Sequence, residues 1–69
     1  MPYRALVSTE LAKLFNVLSH PMRICIIEEL SKEDLSVGSL KELFGATHAA
    51  VSQQLAVLRN CHLISERRE

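Results

Sequence analysis

The chain has 69 residues, 48% of them apolar, and a formal net charge of zero. So apolar a composition excludes a disordered tail, and the length allows one domain at most, with a modest core. Charge neutrality argues against the strong nonspecific hold on nucleic acid that excess Lys and Arg provide, and two cysteines do not make a disulfide framework. The opening residues lack a hydrophobic segment after a basic one, and no apolar run approaches membrane-spanning length. A reducing cytoplasm and no membrane partner are therefore expected.

Residues 1–7 form a short lead, expected to be frayed. Ser8 or Thr9 can cap a first helix in which Leu11, Leu14, Phe15 and Leu18 fall on one stripe, with Glu10 and Lys13 outward. Ser19-His20-Pro21 breaks it. Pro21 also suits the first turn of a new helix, where its missing N–H costs nothing, and His20 suits a cap or turn. The segment from Met22 to Leu30 is apolar nearly all round. Its β-branched run (Ile24, Ile26, Ile27) would also fit a buried strand, but Pro21 at one end and Glu28-Glu29-Leu30 at the other favour a helix at the centre of the core. Residues 31–35 read as a polar link.

Val37 to Phe44 predicts a short helix with Val37, Leu40, Leu43 and Phe44 inward and Ser36 as N-cap. Gly45 sits where a left-handed C-terminal residue is wanted, and Thr47 can cap the next helix. Two helices joined by such a turn make a helix-turn-helix, here over residues 36–59. Lys41 occupies a position where a small residue is usual at the helix crossing; Ala50 can leave room for its stem. After Arg59, Asn60-Cys61-His62 makes a turn, and Leu63 to Arg68 looks like the first strand of a hairpin.

The helix from Thr47 to Arg59 has two unlike faces. Val51, Leu55 and Leu58 stack on one side. The other carries His48, Ala49, Ser52, Gln53, Ala56 and Arg59, and the helix contains no carboxylate. Ser and Gln can pair with base edges, Ala permits close approach, and Arg can hold a phosphate. An ordinary solvated face is the alternative, but such faces usually carry Glu and Lys.

Taken jointly, Leu14-Phe-Asn-Val-Leu-Ser-His-Pro-Met-Arg23, Leu35-Ser-Val-Gly-Ser-Leu40, Val51-Ser-Gln-Gln-Leu-Ala-Val-Leu-Arg59 and Leu63-Ile-Ser-Glu-Arg-Arg-Glu69 resemble the ArsR/SmtB family of bacterial winged-helix repressors. The resemblance covers roughly residues 11–69. It implies a dimeric repressor that releases operator DNA on binding metal ions or on thiol oxidation. It also implies a full wing hairpin and a final dimerisation helix, which would lie past Glu69. Two positions depart from the family pattern. Metal-sensing members carry a cysteine ligand in the segment matching Leu35-Ser36-Val37, where this chain has Ser36, a poor ligand for soft metals. A turn position usually held by Gly is His62, one of the better-tolerated residues at positive φ.

Other chemistries fare worse. His20, His48, Cys25, Cys61 and His62 are the available ligands, but no CxxC or HExxH spacing occurs, so neither a metal nor another cofactor is expected. Cys25 is expected to be a small core hydrophobe; Cys61, in a turn near Arg59, is the candidate redox thiol. With no converging carboxylates, no Gly-rich phosphate loop and no base positioned for Ser52, an enzyme is not expected. A protein-interaction module, pairing through Leu11, Leu14 and Leu18 without touching DNA, is the rival function.

The expected fold is therefore all-α, or α with a minimal β wing stub: a single winged helix-turn-helix domain over residues 1–69, C-terminally incomplete, with three to four helices and the first wing strand. It would bind double-stranded DNA as a homodimer through Leu11, Leu14 and Leu18. His48, Ala49, Ser52 and Gln53 would touch bases, and Thr47, Arg59, Arg67 and Arg68 would hold phosphates. The sequence names no small-molecule or redox inducer.

Overall fold

A computed structural model describes residues 2–67 of the chain. The elements follow in the order β1 (Pro2–Ala5), α1 (Thr9–Ala12), a 3-10 turn (Asn16–Ser19), α2 (Pro21–Lys32), β2 (Leu35–Ser36), α3 (Val37–Phe44), α4 (His48–Asn60) and β3 (Ile64–Glu66). Four helices with a small antiparallel sheet make a winged helix-turn-helix domain, and one apolar cluster draws on every helix.

The sheet is larger than a wing stub. The lead expected to fray is its middle strand, in the order β2-β1-β3. Tyr3 pairs with Leu35 on one side and with Glu66 on the other, both antiparallel. Pairing continues at both ends of β1: the Leu6 amide donates to the Leu63 carbonyl at 2.9 Å, and the Arg67 amide to the Pro2 carbonyl at 2.8 Å. Isolated, the lead has little to hold it; between two partner strands its backbone groups are satisfied. Leu35, expected in a polar link, and Ser36, the expected cap of the next helix, are the short edge strand of this sheet, and α2 runs on to Lys32.

The first helix is shorter than its apolar spacing suggests. Ser8 caps it, its hydroxyl accepting from the Leu11 amide. From Leu14 on, the amides bond three residues back: Leu14 to Leu11, Phe15 to Ala12, Leu18 to Phe15. Tighter winding breaks the stripe, because positions four apart no longer lie above one another. Ala12 and Leu18 enter the core, while Leu11, Leu14 and Phe15 are exposed. This corrects the grouping of Leu18 with Leu11 and Leu14 as an interface: Leu18 is a core residue.

Helix α2 begins as expected, with Pro21 in its first turn and the His20 ring nitrogen accepting from the Met22 amide. It buries Ile26, Ile27 and Leu30. The opposite stripe of Pro21, Cys25, Glu28 and Lys32 is exposed, so apolar residues do not encircle the helix. Cys25 is consequently an exposed thiol, not the core residue expected.

The helix-turn-helix forms from the local signals that foretell it. Ser36 Oγ accepts from the Ser39 amide, Gly45 adopts φ 59°, and Thr47 Oγ1 accepts from the Ala50 amide. Between these caps α3 packs on α4, with Leu40, Val51, Leu55 and Leu58 fully buried or nearly so. Lys41 is exposed, and Leu40 is the residue that α3 buries. Leu43, expected inward, is exposed. After α4, His62 takes positive φ (61°) and turns the chain into β3.

Candidate nucleic-acid interface

The site is the outer face of α4. Its inner stripe of Val51, Leu55 and Leu58 is held in the core. That anchoring turns His48, Ala49 and Gln53 fully outward, with Ser52 and Ala56 half-buried at the flanks. Thr47 and Arg59 are exposed at the two ends. His48 Nδ1 and Ser52 Oγ lie 3.3 Å apart, one helical turn from each other, so the two polar groups at the start of the face orient one another.

This face carries no negative charge of its own. The exposed carboxylates Glu10, Glu28, Glu33, Asp34 and Glu42 belong to α1, α2, the link after it and α3, and α4 has none. Two of the cations expected at phosphates are partly answered within the fold. Arg59 Nη1 is 3.9 Å from Glu66 Oε1, and Arg67 Nη1 is 2.7 Å from Asp34 Oδ2. All four side chains keep solvent access, so neither pair is a fixed strut. Arg68 lies outside the described residues.

Two residues that matter to this face escape sequence reasoning. Arg23, on the first turn of α2, donates from Nε to Gln54 Oε1 at 2.6 Å and from Nη1 to the Val17 carbonyl at 3.0 Å. Gln54 thus faces back into the fold while its neighbour Gln53 faces out. The signal was present: successive residues on a helix point about 100° apart, so both glutamines cannot share one face.

The Ser36 hydroxyl accepts from the Ser39 amide and lies 3.2 Å from Ser39 Oγ. Among the described residues no group of three or more His, Cys, Asp or Glu side chains is placed to hold a metal ion. Cys61 is exposed just past α4, as expected. No helix among the described residues is long and apolar enough to cross a membrane.

This arrangement has known counterparts. The model for bacterial regulatory proteins of the arsR family matches residues 20–66, the span from the cap of α2 to the end of β3. The chain belongs to that family. It is similar to the biofilm growth-associated repressor of Xylella fastidiosa, 38% identical over 61 residues, which cover 88% of this chain and 54% of the relative. It is similar also to the nodulation protein NolR of Rhizobium meliloti, 36% identical over 58 residues, covering 84% of this chain and 48% of that protein. A transcriptional repressor SmtB homolog of Synechocystis is 32% identical over 59 residues, covering 86% and 45%. The chain thus spans about half the length of the curated relatives it matches. No solved structure matches significantly. An arsR-family chain is a member of a family of transcriptional regulators, and this favours regulation over the bare interaction module.

Proposed function

We infer that this chain is a sequence-specific DNA-binding transcriptional regulator, acting as a repressor in the cytoplasm. One observation carries the reading: α4, docked through Val51, Leu55 and Leu58, presents a face of small and hydrogen-bonding residues with no carboxylate. Such a helix fits the major groove. His48, Ala49, Ser52 and Gln53 meet base edges there, while Thr47 and Arg59 hold phosphates at the helix ends. Arg67 and Arg68 contact the backbone from the wing side. Family membership and the relatives named as repressors support the same reading.

The partner arrangement is a homodimer. Leu11 and Leu14 are 48% and 78% exposed on one short stretch, an apolar surface that association would cover. A two-fold dimer sets two copies of α4 about one DNA turn apart, which matches a palindromic operator. The regulatory signal does not involve a metal on this stretch, because Ser36 is a helix cap and offers a hydroxyl where a thiolate would be required.

The test is selection from a pool of randomised duplexes. The expected result is enrichment of one inverted-repeat sequence whose binding weakens steeply with salt yet persists at physiological ionic strength. Recovery of random sequences, bound only at low salt, would contradict the reading.

A further inference from the structure

Arg23 is a half-buried cation whose acceptors are neutral. Among the described residues the ion pairs are Lys32 with Glu29, Arg59 with Glu66 and Arg67 with Asp34; Arg23 takes part in none. Its guanidinium is instead divided between the Gln54 amide oxygen and the Val17 main-chain carbonyl. Desolvating a guanidinium without a carboxylate is unfavourable for stability alone. What the planar fork provides is geometry, since it fixes two acceptors at once in one plane. One acceptor belongs to the backbone of the 3-10 turn and the other to the middle of α4.

That geometry bears on how α4 is turned about its own axis. The buried stripe of Val51, Leu55 and Leu58 is apolar, and apolar contact is nearly non-directional. It holds α4 on the core but tolerates small rotations. A charge-assisted hydrogen bond of 2.6 Å does not. Gln54 follows Gln53 directly, so any rotation that releases Gln54 from Arg23 swings Gln53 by the same angle. We propose that Arg23 is a positioning residue for DNA reading: by holding Gln54 and the Val17 carbonyl together it sets the rotation of α4, and with it the choice of sequence more than the strength of binding. The proposal rests on α4 being the reading helix.

The experiment uses the whole chain and two duplexes: one enriched from the randomised pool by the wild-type protein, and a scrambled duplex of the same composition. The readout is the ratio of the two affinities. Gln54→Met keeps the length of the side chain and loses the amide acceptor. It is expected to shrink the ratio about tenfold, the scale of one mis-set base contact, while the scrambled duplex binds within about twofold of wild type. Gln54→Glu retains an acceptor for Arg23 and is expected to retain the ratio. Arg23→Lys keeps the charge without the fork, so it too should shrink the ratio. Combining it with Gln54→Met should add little, because both remove one contact. If Gln54→Met fails to fold, Arg23→Lys and Gln54→Glu decide the question alone. Unchanged ratios in Gln54→Met and Arg23→Lys would overturn the positioning role and leave the DNA-reading function standing. Equal weakening on both duplexes would overturn it too, as a merely structural effect. A wild-type chain that enriches no sequence would instead refute the function on which the proposal rests.

Discussion

Arg59 Nη1 stands 3.9 Å from Glu66 Oε1, so the cation at the end of α4 leans toward a carboxylate on the following strand, β3. The separation is long and the Arg59 side chain half-exposed, which leaves the guanidinium able to exchange this carboxylate for a phosphate. Arg59→Ala is expected to weaken binding to all duplexes alike and to lower the salt slope by about one. Glu66→Gln should do the reverse, strengthening binding to every sequence. Fluorescence anisotropy over a range of salt concentrations checks both. A sequence-dependent loss in Arg59→Ala would assign that residue to base reading.

Gln53 is the outward member of the glutamine pair. Gln53→Ala should relax base preference at one position of each half-site and cost about 1–3 kcal/mol of discrimination. Competition between the selected duplex and single-base variants measures it. Unaltered preference in both Gln53→Ala and Ser52→Ala would mean that this face does not read sequence.

The exposed and buried leucines of the N-terminal stretch should separate cleanly. Leu14→Glu is expected to abolish association while leaving the monomer folded, because Leu14 is 78% exposed. Leu18→Ala should cost the fold about 2–5 kcal/mol, the usual penalty for an emptied core site. Sedimentation over a wide concentration range, with thermal denaturation alongside, reads both. Concentration-independent melting of a wild-type monomer would remove the dimer.

Two left-handed residues should respond in opposite ways. Gly45 has φ 59° and open space around a would-be Cβ, so Gly45→Ala carries only backbone strain and should destabilise by about 1 kcal/mol. His62 adopts φ 61° without being glycine. In His62→Gly, relief of that strain, about 1 kcal/mol, offsets the entropy glycine adds to the unfolded chain. Stability should therefore hold or rise. For a domain of this size 1 kcal/mol moves the melting temperature by about 4–8 °C, and thermal unfolding resolves it.

Cys25 and Cys61 are both exposed, so both should react with an alkylating reagent in the native state. Labelling confined to Cys61 would mean that the outer stripe of α2 is covered.

What the sequence made legible is what short-range chemistry decides. Ser36, Gly45 and Thr47 announce the helix-turn-helix because a cap acts on amides two or three residues away. Pro21 and His20 announce α2 for the same reason. The strand β1 was hidden because its partners lie some thirty and sixty residues along the chain and no turn connects them locally. The stripe from Leu11 to Leu18 misled because apolar spacing states which positions are apolar, not whether the backbone keeps α-helical winding; there, the Arg23 bond to the Val17 carbonyl helps hold the tighter turn. Cys25 is exposed rather than in the core because a helix with apolar residues on several sides can still bury only one stripe. The outer face of α4 was readable, since its inner stripe is regular. Its tie to Arg23 was not, because that contact joins residues 31 positions apart.

Whether α4 meets DNA is read by titrating the isotope-labelled chain with the selected duplex and following its backbone amides by NMR. The largest shifts are expected on residues 47–53 and on Arg59, with smaller ones at Arg67 and near-silence along the α2 stripe of Cys25, Glu28 and Lys32. Shifts concentrated on Leu11, Leu14 and Phe15 with α4 unmoved would contradict DNA reading by α4.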